Sequence, residues 1–474
     1  ERLASTLARH ARGVAVKAAD VEVLRSPTAF HDRLVRGIAG AKDHVAISTL
    51  YFGTDTEREH RVFQELSNAA KRGVRVRVLC DAPRAGRRGQ GKKTIVDHLA
   101  HYLGDCAAAS VSLYQTPRTK GLLKSLVMGR PPYSEILGVC HMKAYVFDDE
   151  VLVSGANLNE RYFTTRQDRY VSVRSPELAE RTLAVIRAVG RHSFQLSGSG
   201  ALREPPCGLS PLRLATAAPF SQSLHDGLKE AALSETGGSG EPNSLGDDEG
   251  MAWVFPLVQN GSVNWRQDEQ AVSAFLGELA KGDAVQLSSG YLNLTSKIEQ
   301  GLLASGATVD FLMPAPSANG FFSSPKGSPK QYIPFVYQHL AIEAVKRMQQ
   351  QRRRRMGDMG SASGDATGIR LHEYERPGWQ FHAKGIWYSP AKEPELEGPL
   401  ATFVGSPNYG YRSQDKDLEL ELCILAGCGD LRRRLRDEVD GLFRFSSRTE
   451  PSQQKRPKSE PLISLSSKLC RKWL

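Results

Sequence analysis

Two of the twelve histidines are followed two positions later by lysine, His141-Met142-Lys143 and His382-Ala383-Lys384. Ordinary lysine frequency supplies roughly half of one such pair by chance, so the surroundings carry the signal. After His141 come Asp148, Ser154-Gly155-Ala156-Asn157, Arg161 and Asp168; after His382 come Gly405-Ser406-Pro407-Asn408, Arg412 and Glu419. From each asparagine the basic residue lies four positions on and the acid eleven on. Histidine and asparagine are 16 residues apart in the first set and 26 in the second. The additional ten fall in Ser389–Leu400, a Pro/Glu-rich stretch that reads as a hairpin insertion.

These residue types fit attack on a phosphodiester. Such a reaction needs neutralised non-bridging oxygens, a nucleophile for phosphorus and an acid for the leaving oxygen. Lys143, Lys384, Asn157 and Asn408 supply fixed donors, with Ser154, Ser406, Arg161 and Arg412 as further substrate contacts. One imidazole attacks to give a phosphohistidine while the other protonates the departing group, and a pKa near 6.5 suits both tasks. The downstream acid of each half, Asp168 or Glu419, is a candidate for holding an imidazole Nδ1–H. Alternate side chains of a strand share a face, so each His and its Lys are expected to point together.

The elements around these motifs read as β-α-β. Val45–Tyr51 and Val74–Cys80 are predicted strands flanking a helix over about Glu57–Arg72. Further strands are expected at Val111–Tyr114, His141–Phe147 and Val151–Val153, and a helix over Pro176–Ser193 closes the block. The block then repeats. Tyr51 and Tyr291 are 240 residues apart, and the histidines 241. The strand Gly73–Leu79 has a counterpart in Gly306–Leu312 at 233. A near-constant separation with drifting insertions marks a duplicated domain. The expected organisation is a basic arm (1–20), a first lobe (21–195), a flexible Gly/Ser/Pro-rich connector (196–250), a second lobe (251–446) and a basic amphipathic tail (447–474).

The 474 residues are enough for two such lobes. A net charge of +11 suits an anionic partner: nucleic acid, an acidic membrane surface or a phosphorylated substrate. Met251–Val258 is among the longest apolar runs, far short of a membrane span, so membrane contact is expected to be peripheral. Seven scattered cysteines with no CxxC pair point away from a disulfide framework or zinc cluster and toward a reducing compartment.

The motifs resemble those of the phospholipase D superfamily, HxKxxxxD followed by GSxN, present twice. His141, Lys143 and Asp148 match the first motif; the second has His382 and Lys384, with Ser389 where the aspartate stands. Ser154-Gly155 in the first half faces Gly405-Ser406 in the second. The resemblance implies an α/β fold of two pseudo-symmetric α/β/α sandwich lobes with the active site at their interface. It groups Asp148 with the catalytic set, as a residue that mainly braces its strand. We read His141 as nucleophile and His382 as general acid/base.

Within the superfamily, HMKAYVFDDEVLVSGANLNERYFTTRQDRY and FHAKGIWY…GSPNYGYRSQDKDLE are similar to the eukaryotic phosphatidylglycerophosphate synthases. So are SLYFGT near residue 50, with a one-residue difference at its start (STLYFGT here), and SLYQTP…GLLKSL near residue 120. That likeness implies transfer of a phosphatidyl group from CDP-diacylglycerol to glycerol 3-phosphate, on the matrix face of the mitochondrial inner membrane. It implies no required cofactor and no metal site, with stimulation by a divalent ion left open. No nucleic acid partner is expected. The alternative is a phosphodiesterase or nuclease of the same fold, and a non-enzymatic rival is a degenerate lipid-binding member.

Other segments carry two readings each. Arg2–Lys17, basic and without acids, reads as the end of an organellar transit segment or as a short arm. Arg118–Tyr133 reads as an interfacial helix or as one covering the sheet. Leu462, Leu465, Leu469 and Trp473 read as an amphipathic anchor or a packed terminal helix. Gly86–Thr94 imitates a phosphate-binding loop one residue out of register, and is read as a flexible basic loop. Arg352–Arg355 reads as a helix end and solvated loop, or as a lipid-phosphate patch.

Overall fold

The computed structural model describes residues 2–88, 93–117, 137–233, 250–325, 327–356, 367–392 and 398–450, together with Ile463 and Arg471. Among the described residues, two large mixed sheets of nine and ten strands share one hydrophobic cluster. The first sheet runs Leu202–Arg203, Phe194–Leu196, Ala109–Tyr114, Arg75–Asp81, His44–Thr49, Ala144–Phe147, Glu150–Ser154, Tyr170–Arg174, Val21–Leu24. The second runs Ser446–Thr449, Ile369–Tyr374, Thr308–Pro314, Ala284–Ser288, Gly385–Ser389, Ala401–Gly405, Leu418–Ala426, Met251–Asn260, Val14–Lys17, with Trp265–Arg266 paired to Met251–Asn260.

The duplication is thereby visible strand for strand. From Phe194–Leu196 to Val21–Leu24, and from Ser446–Thr449 to Met251–Asn260, the two sheets have the same order. Each has three parallel strands at its centre and antiparallel partners on either side. Gly73 and Gly306, matched in sequence, both turn the chain from helix to strand with positive φ, 88° and 70°. Only glycine adopts that backbone without strain.

The shared cluster contains Val151, Val153 and Val171 of the first sheet and Val254, Leu420 and Leu422 of the second. The opposite faces are covered by helices. Phe30 and Leu34 of Pro27–Gly40 and Leu66 of Glu57–Lys71 bury on the first lobe. Phe275 of Gln267–Gly277 and Leu302 of Ser296–Ser305 do so on the second. Full burial of such a side chain is worth about 1.5–3 kcal/mol, so these stripes fix which face each sheet turns toward its neighbour.

A buried ion pair locks the lobes beside the site. Arg169 Nε and Nη2 donate to Glu438 at 2.9 and 2.8 Å, Nη1 donates to the Phe403 carbonyl at 2.6 Å, and the guanidinium lies 3.8 Å from the Trp387 ring centroid. A side chain at Gly385 would collide with Arg169, so the glycine after Lys384 makes room for the clamp.

Three boundaries differ from the sequence expectation. Residues 2–17 are no free arm: Arg2–Ala8 is a helix with Ala4 and Leu7 fully buried, and Val14–Lys17 pairs with Met251–Val254 of the second lobe. Their alanines and leucine fill the second lobe's core, a role the basic residues of the segment concealed. The connector is largely structured. Phe194–Leu196 and Leu202–Arg203 extend the first sheet, and the helix Ala217–Leu233 buries Phe220, Leu224 and Leu228, an apolar stripe at intervals of four. Only 234–249 of it lies outside the described residues. Ser446–Thr449 is an edge strand rather than tail. Arg352 is buried, donating to the carbonyls of Leu302, Ala307 and Thr367, so it caps backbone instead of facing solvent or lipid. The segments 118–133, 89–92 and the terminal leucines and tryptophan fall outside the described residues.

Candidate active site

His141-Met142-Lys143 lies just ahead of the strand Ala144–Phe147, and His382-Ala383-Lys384 just ahead of Gly385–Ser389. Neither triplet is strand, so alternation does not set the lysines. Each lysine instead folds back on its own histidine: Lys143 Nζ donates to the His141 carbonyl at 2.7 Å, and Lys384 Nζ to the His382 carbonyl at 2.5 Å. Both lysines are wholly buried.

The lobes meet through these triplets. His141 N donates to the Leu418 carbonyl and His382 N to the Gln167 carbonyl, both at 2.8 Å. Each anchoring carbonyl precedes an acid, so the acids serve the histidine of the opposite half. His141 Nδ1 stands 2.8 Å from Glu419 Oε2, and His382 Nδ1 stands 2.6 Å from Asp168 Oδ2. The acids hold imidazoles as expected, but crosswise. With Nδ1 on its acid, each ring turns Nε2 to chemistry, and at His382 the Tyr162 hydroxyl stands 3.2 Å from that atom.

The rings line one cavity of about 390 Å³, together with Asn157, Asn408, Tyr162, Arg166, Tyr291 and Arg412. Asn157 is buried with its Oδ1 lacking a partner, and so is Glu419 Oε1. An unpaired buried polar atom costs roughly 1–3 kcal/mol; of the two residues only Asn157 lines the cavity, where its amide suits a wall built to meet a polar ligand.

Burial dominates the electrostatics. It pushes the His141 pKa down, opposed by the Glu419 carboxylate. His382 is driven well below the usual imidazole range, by burial and then by Lys384, Arg166 and Lys143. Burial also lowers Lys143 to about 7 and depresses Lys384. Burial raises Asp168 despite Lys384 beside it. Burial would raise Glu419 too, but the neighbouring His141 and Lys143 outweigh it and hold Glu419 below the ordinary range. Such opposed shifts in one cleft mark a reactive site.

Four predicted site residues stand elsewhere. Asp148 is not at the cavity. It occupies the turn between Ala144–Phe147 and Glu150–Ser154 and accepts the backbone N–H groups of Lys42, Asp43 and His44 at 2.8, 2.9 and 2.9 Å. In the second lobe Asp283 does this work, accepting from Ala280 N, Ala391 N and the Tyr388 hydroxyl, which explains why Ser389 suffices there. Arg161 is exposed and outside the cavity, whereas Arg412 lines it, held by Asp417 at 2.8 Å. Equal spacing concealed that difference. Ser154 and Ser406 are buried beneath the wall, bonding the Arg169 carbonyl and the Leu420 backbone.

Sequence reading passed over Tyr162, Arg166 and Asp417. It used Tyr51 and Tyr291 as markers of the repeat without assigning them to the site, although both line the cavity. A tyrosine kept at the same register in both copies was the available signal.

The two-lobed sheet topology with paired His-Lys triplets at the seam defines a phospholipase D-like enzyme. The family model for the cardiolipin synthase, PLD-like domain matches residues 34–188. The crystal structure of a phosphatidylserine synthase from Haemophilus influenzae Rd KW20 superposes with a TM-score of 0.73 at 18% identity, covering 100% of both chains. Among curated relatives, the mitochondrial CDP-diacylglycerol--glycerol-3-phosphate 3-phosphatidyltransferase of Bos taurus is 32% identical over 93% of this chain and 81% of its own length. That of Gallus gallus is 30% identical over the same shares. The chain belongs to the CDP-diacylglycerol–glycerol-3-phosphate 3-phosphatidyltransferase family.

Proposed function

We propose that the protein transfers the phosphatidyl group of CDP-diacylglycerol to the primary hydroxyl of glycerol 3-phosphate, giving phosphatidylglycerophosphate and CMP. The observation that carries the reading is the pair of crosswise carboxylate-held imidazoles facing one cavity. His141 Nε2 attacks the phosphorus bearing diacylglycerol. The bond from phosphorus to the CMP oxygen breaks, and His382 gives that oxygen its proton. His382 then takes the proton of the acceptor hydroxyl as its oxygen attacks phosphorus, the P–N bond breaks, and His141 is regenerated.

The ring of a phosphohistidine that keeps its Nδ1–H is cationic, and Glu419, held ionised, is the partner it needs. The diphosphate of the substrate offsets the cations around His382 and loads it with the proton it delivers. Lys143 and Lys384, buried beside the two imidazoles, add positive charge toward the phosphate, and the proposed route needs no resident metal.

We place the enzyme peripherally on an anionic membrane, at the matrix face of the mitochondrial inner membrane. The relatives named mitochondrial support the compartment. Among the described residues no helix is long and apolar enough to cross a membrane. Phe322 and Tyr332, about half exposed, flank Phe321 and Ile333 of the cavity wall, a placement that suits contact with lipid at its mouth. The deciding experiment incubates the protein with CDP-diacylglycerol vesicles and glycerol 3-phosphate, following CMP and lipid product. Nuclease activity without lipid product overturns the assignment.

A further inference from the structure

Arg166 is a cation in the cavity wall whose partners orient it without neutralising it. It opens the short strand Arg166–Gln167, paired in parallel with Gln380–Phe381 at the seam of the lobes. Its Nε donates to Gln380 Oε1 at 2.7 Å, and Nη2 shares the same acceptor. Its guanidinium lies 4.6 Å from the Tyr162 ring centroid. A Cβ at Gly320 would stand 2.7 Å from Nη2, so that glycine keeps the space the fork occupies. Other guanidinium groups at the seam have carboxylates, Arg169 with Glu438 and Arg412 with Asp417. Among the described residues, Arg166 has an amide and an aromatic face but no acid within ion-pair distance.

Pseudo-symmetry sharpens the point. Two positions before Asp168 stands Arg166; two positions before Glu419 stands Asp417, which accepts from Val139 N and Arg412. The His141 side of the cavity therefore carries a neutralised pair, and the His382 side an unneutralised cation. A guanidinium mounted this way presents its outer Nη edge, which matches phosphate oxygens two at a time.

We propose that Arg166, mounted on Tyr162 and Gln380, binds the phosphate monoester of the acceptor alcohol and so selects an anionic acceptor. This rests on the transferase reading. The position argues for the acceptor's phosphate over the cytidylate's. Tyr162 bridges the two groups: its hydroxyl is 3.2 Å from His382 Nε2, and its ring lies edge-on to the imidazole at 5.2 Å. The guanidinium thus stands one aromatic ring away from the imidazole. A phosphate bonded directly to the reacting oxygen lies against His382 itself. A phosphate three carbons from the reacting hydroxyl lies further along, where Arg166 is. Anchoring that phosphate raises the effective concentration of its hydroxyl over water, and a neutral alcohol leaves the fork unpaired.

Arg166→Gln and Arg166→Lys, with Gln380→Leu as a test of the mount, separate the possibilities. The expected result for Arg166→Gln is a KM for glycerol 3-phosphate raised roughly 10- to 100-fold, the value of losing a charged hydrogen-bonded contact. The KM for CDP-diacylglycerol should shift less than about threefold, well under that loss. Arg166→Lys and Gln380→Leu should fall between, because each keeps charge without the oriented fork. A raised KM for CDP-diacylglycerol with weakened inhibition by CMP overturns the proposal in favour of a cytidylate contact, and unchanged KM values overturn it outright. Calorimetric titration with glycerol 3-phosphate stands apart from turnover. Binding to the wild type that is lost in Arg166→Gln supports the anion site even if no lipid product forms, which would sink only the transferase reading. Equal binding in both overturns the site.

Discussion

The two half-sites use the same parts differently. In the register where the first half has Gly155, the second has Ser406. A Cβ at Gly155 would lie 2.5 Å from Asp168 Oδ1 and 2.7 Å from Lys384 Nζ. Its absence lets Lys384 approach Asp168 to 3.3 Å and His382 Nδ1 to 2.6 Å. In the second half the Ser406 hydroxyl occupies that register, bonding the Leu420 backbone, and Glu419 is left to His141. One exchange of serine for glycine thus gives His141 a dedicated carboxylate and puts His382 among cations. Under the proposed mechanism this difference suits the first ring to gaining charge and the second to shuttling a proton.

The severest test of this comparison removes each ring. His141→Ala should lose on the order of 10⁴-fold or more in turnover and form no covalent lipid adduct. His382→Ala should be comparably slow but accumulate adduct on quenching with labelled CDP-diacylglycerol. Adduct in the first variant and none in the second reverses the roles. Next in size are the acids. Glu419→Gln should cost about 10²- to 10⁴-fold in kcat, as loss of an ionised imidazole partner does elsewhere. Asp168→Asn should cost less, because burial already moves Asp168 toward its neutral form. Equal losses would mean the two carboxylates do the same work.

Lys143 gives the comparison a pH axis. Its charge is present below its pKa of about 7 and disappears as pH rises through it. The free enzyme's kcat/KM should therefore fall about tenfold per unit above that pH, since this parameter reports free-enzyme ionisations. Lys143→Met should be slow throughout and lack that limb. A limb that survives in Lys143→Met belongs to another group.

Much of this was legible in the sequence because it is local or periodic. His141, Lys143, His382 and Lys384 are set by spacing, and the strands around them by alternation. Tyr51 and Tyr291 gave the duplication. What was hidden depends on which half meets which. Asp168 lies nearest in sequence to His141 yet holds His382, because the carbonyls of Gln167 and Leu418 cross the seam. The arginines at matched spacing, Arg161 and Arg412, part company because only Arg412 has Asp417 to turn it inward. Arg166 carries no motif of its own; it becomes visible only when Gln380, 214 residues away, arrives beside it. The helix at Ala217–Leu233 was readable at intervals of four but lay in a region whose Pro and Gly content suggested a linker.

The smallest effects compare the two braces. Asp148 serves three backbone donors from a left-handed turn, φ 52°. Asp148→Ala loses them and strains the turn, and should destabilise the fold by about 2–3 kcal/mol, read as a lowered denaturant midpoint. Asp148→Asn, which tolerates that backbone and keeps an acceptor, should lose about 1 kcal/mol. In the second lobe, Ser389 stands opposite Ala284, next to Asp283, whose oxygens already hold Ala280 N, Ala391 N and the Tyr388 hydroxyl. Restoring the family's residue with Ser389→Asp therefore competes with a brace already in place and adds a like charge beside Asp283. A loss of up to about 1 kcal/mol is expected, the scale of a like-charge pair on neighbouring strands. Stabilisation by a similar amount would show that Asp283 is not the substitute brace, and that the two lobes fasten this strand by different means.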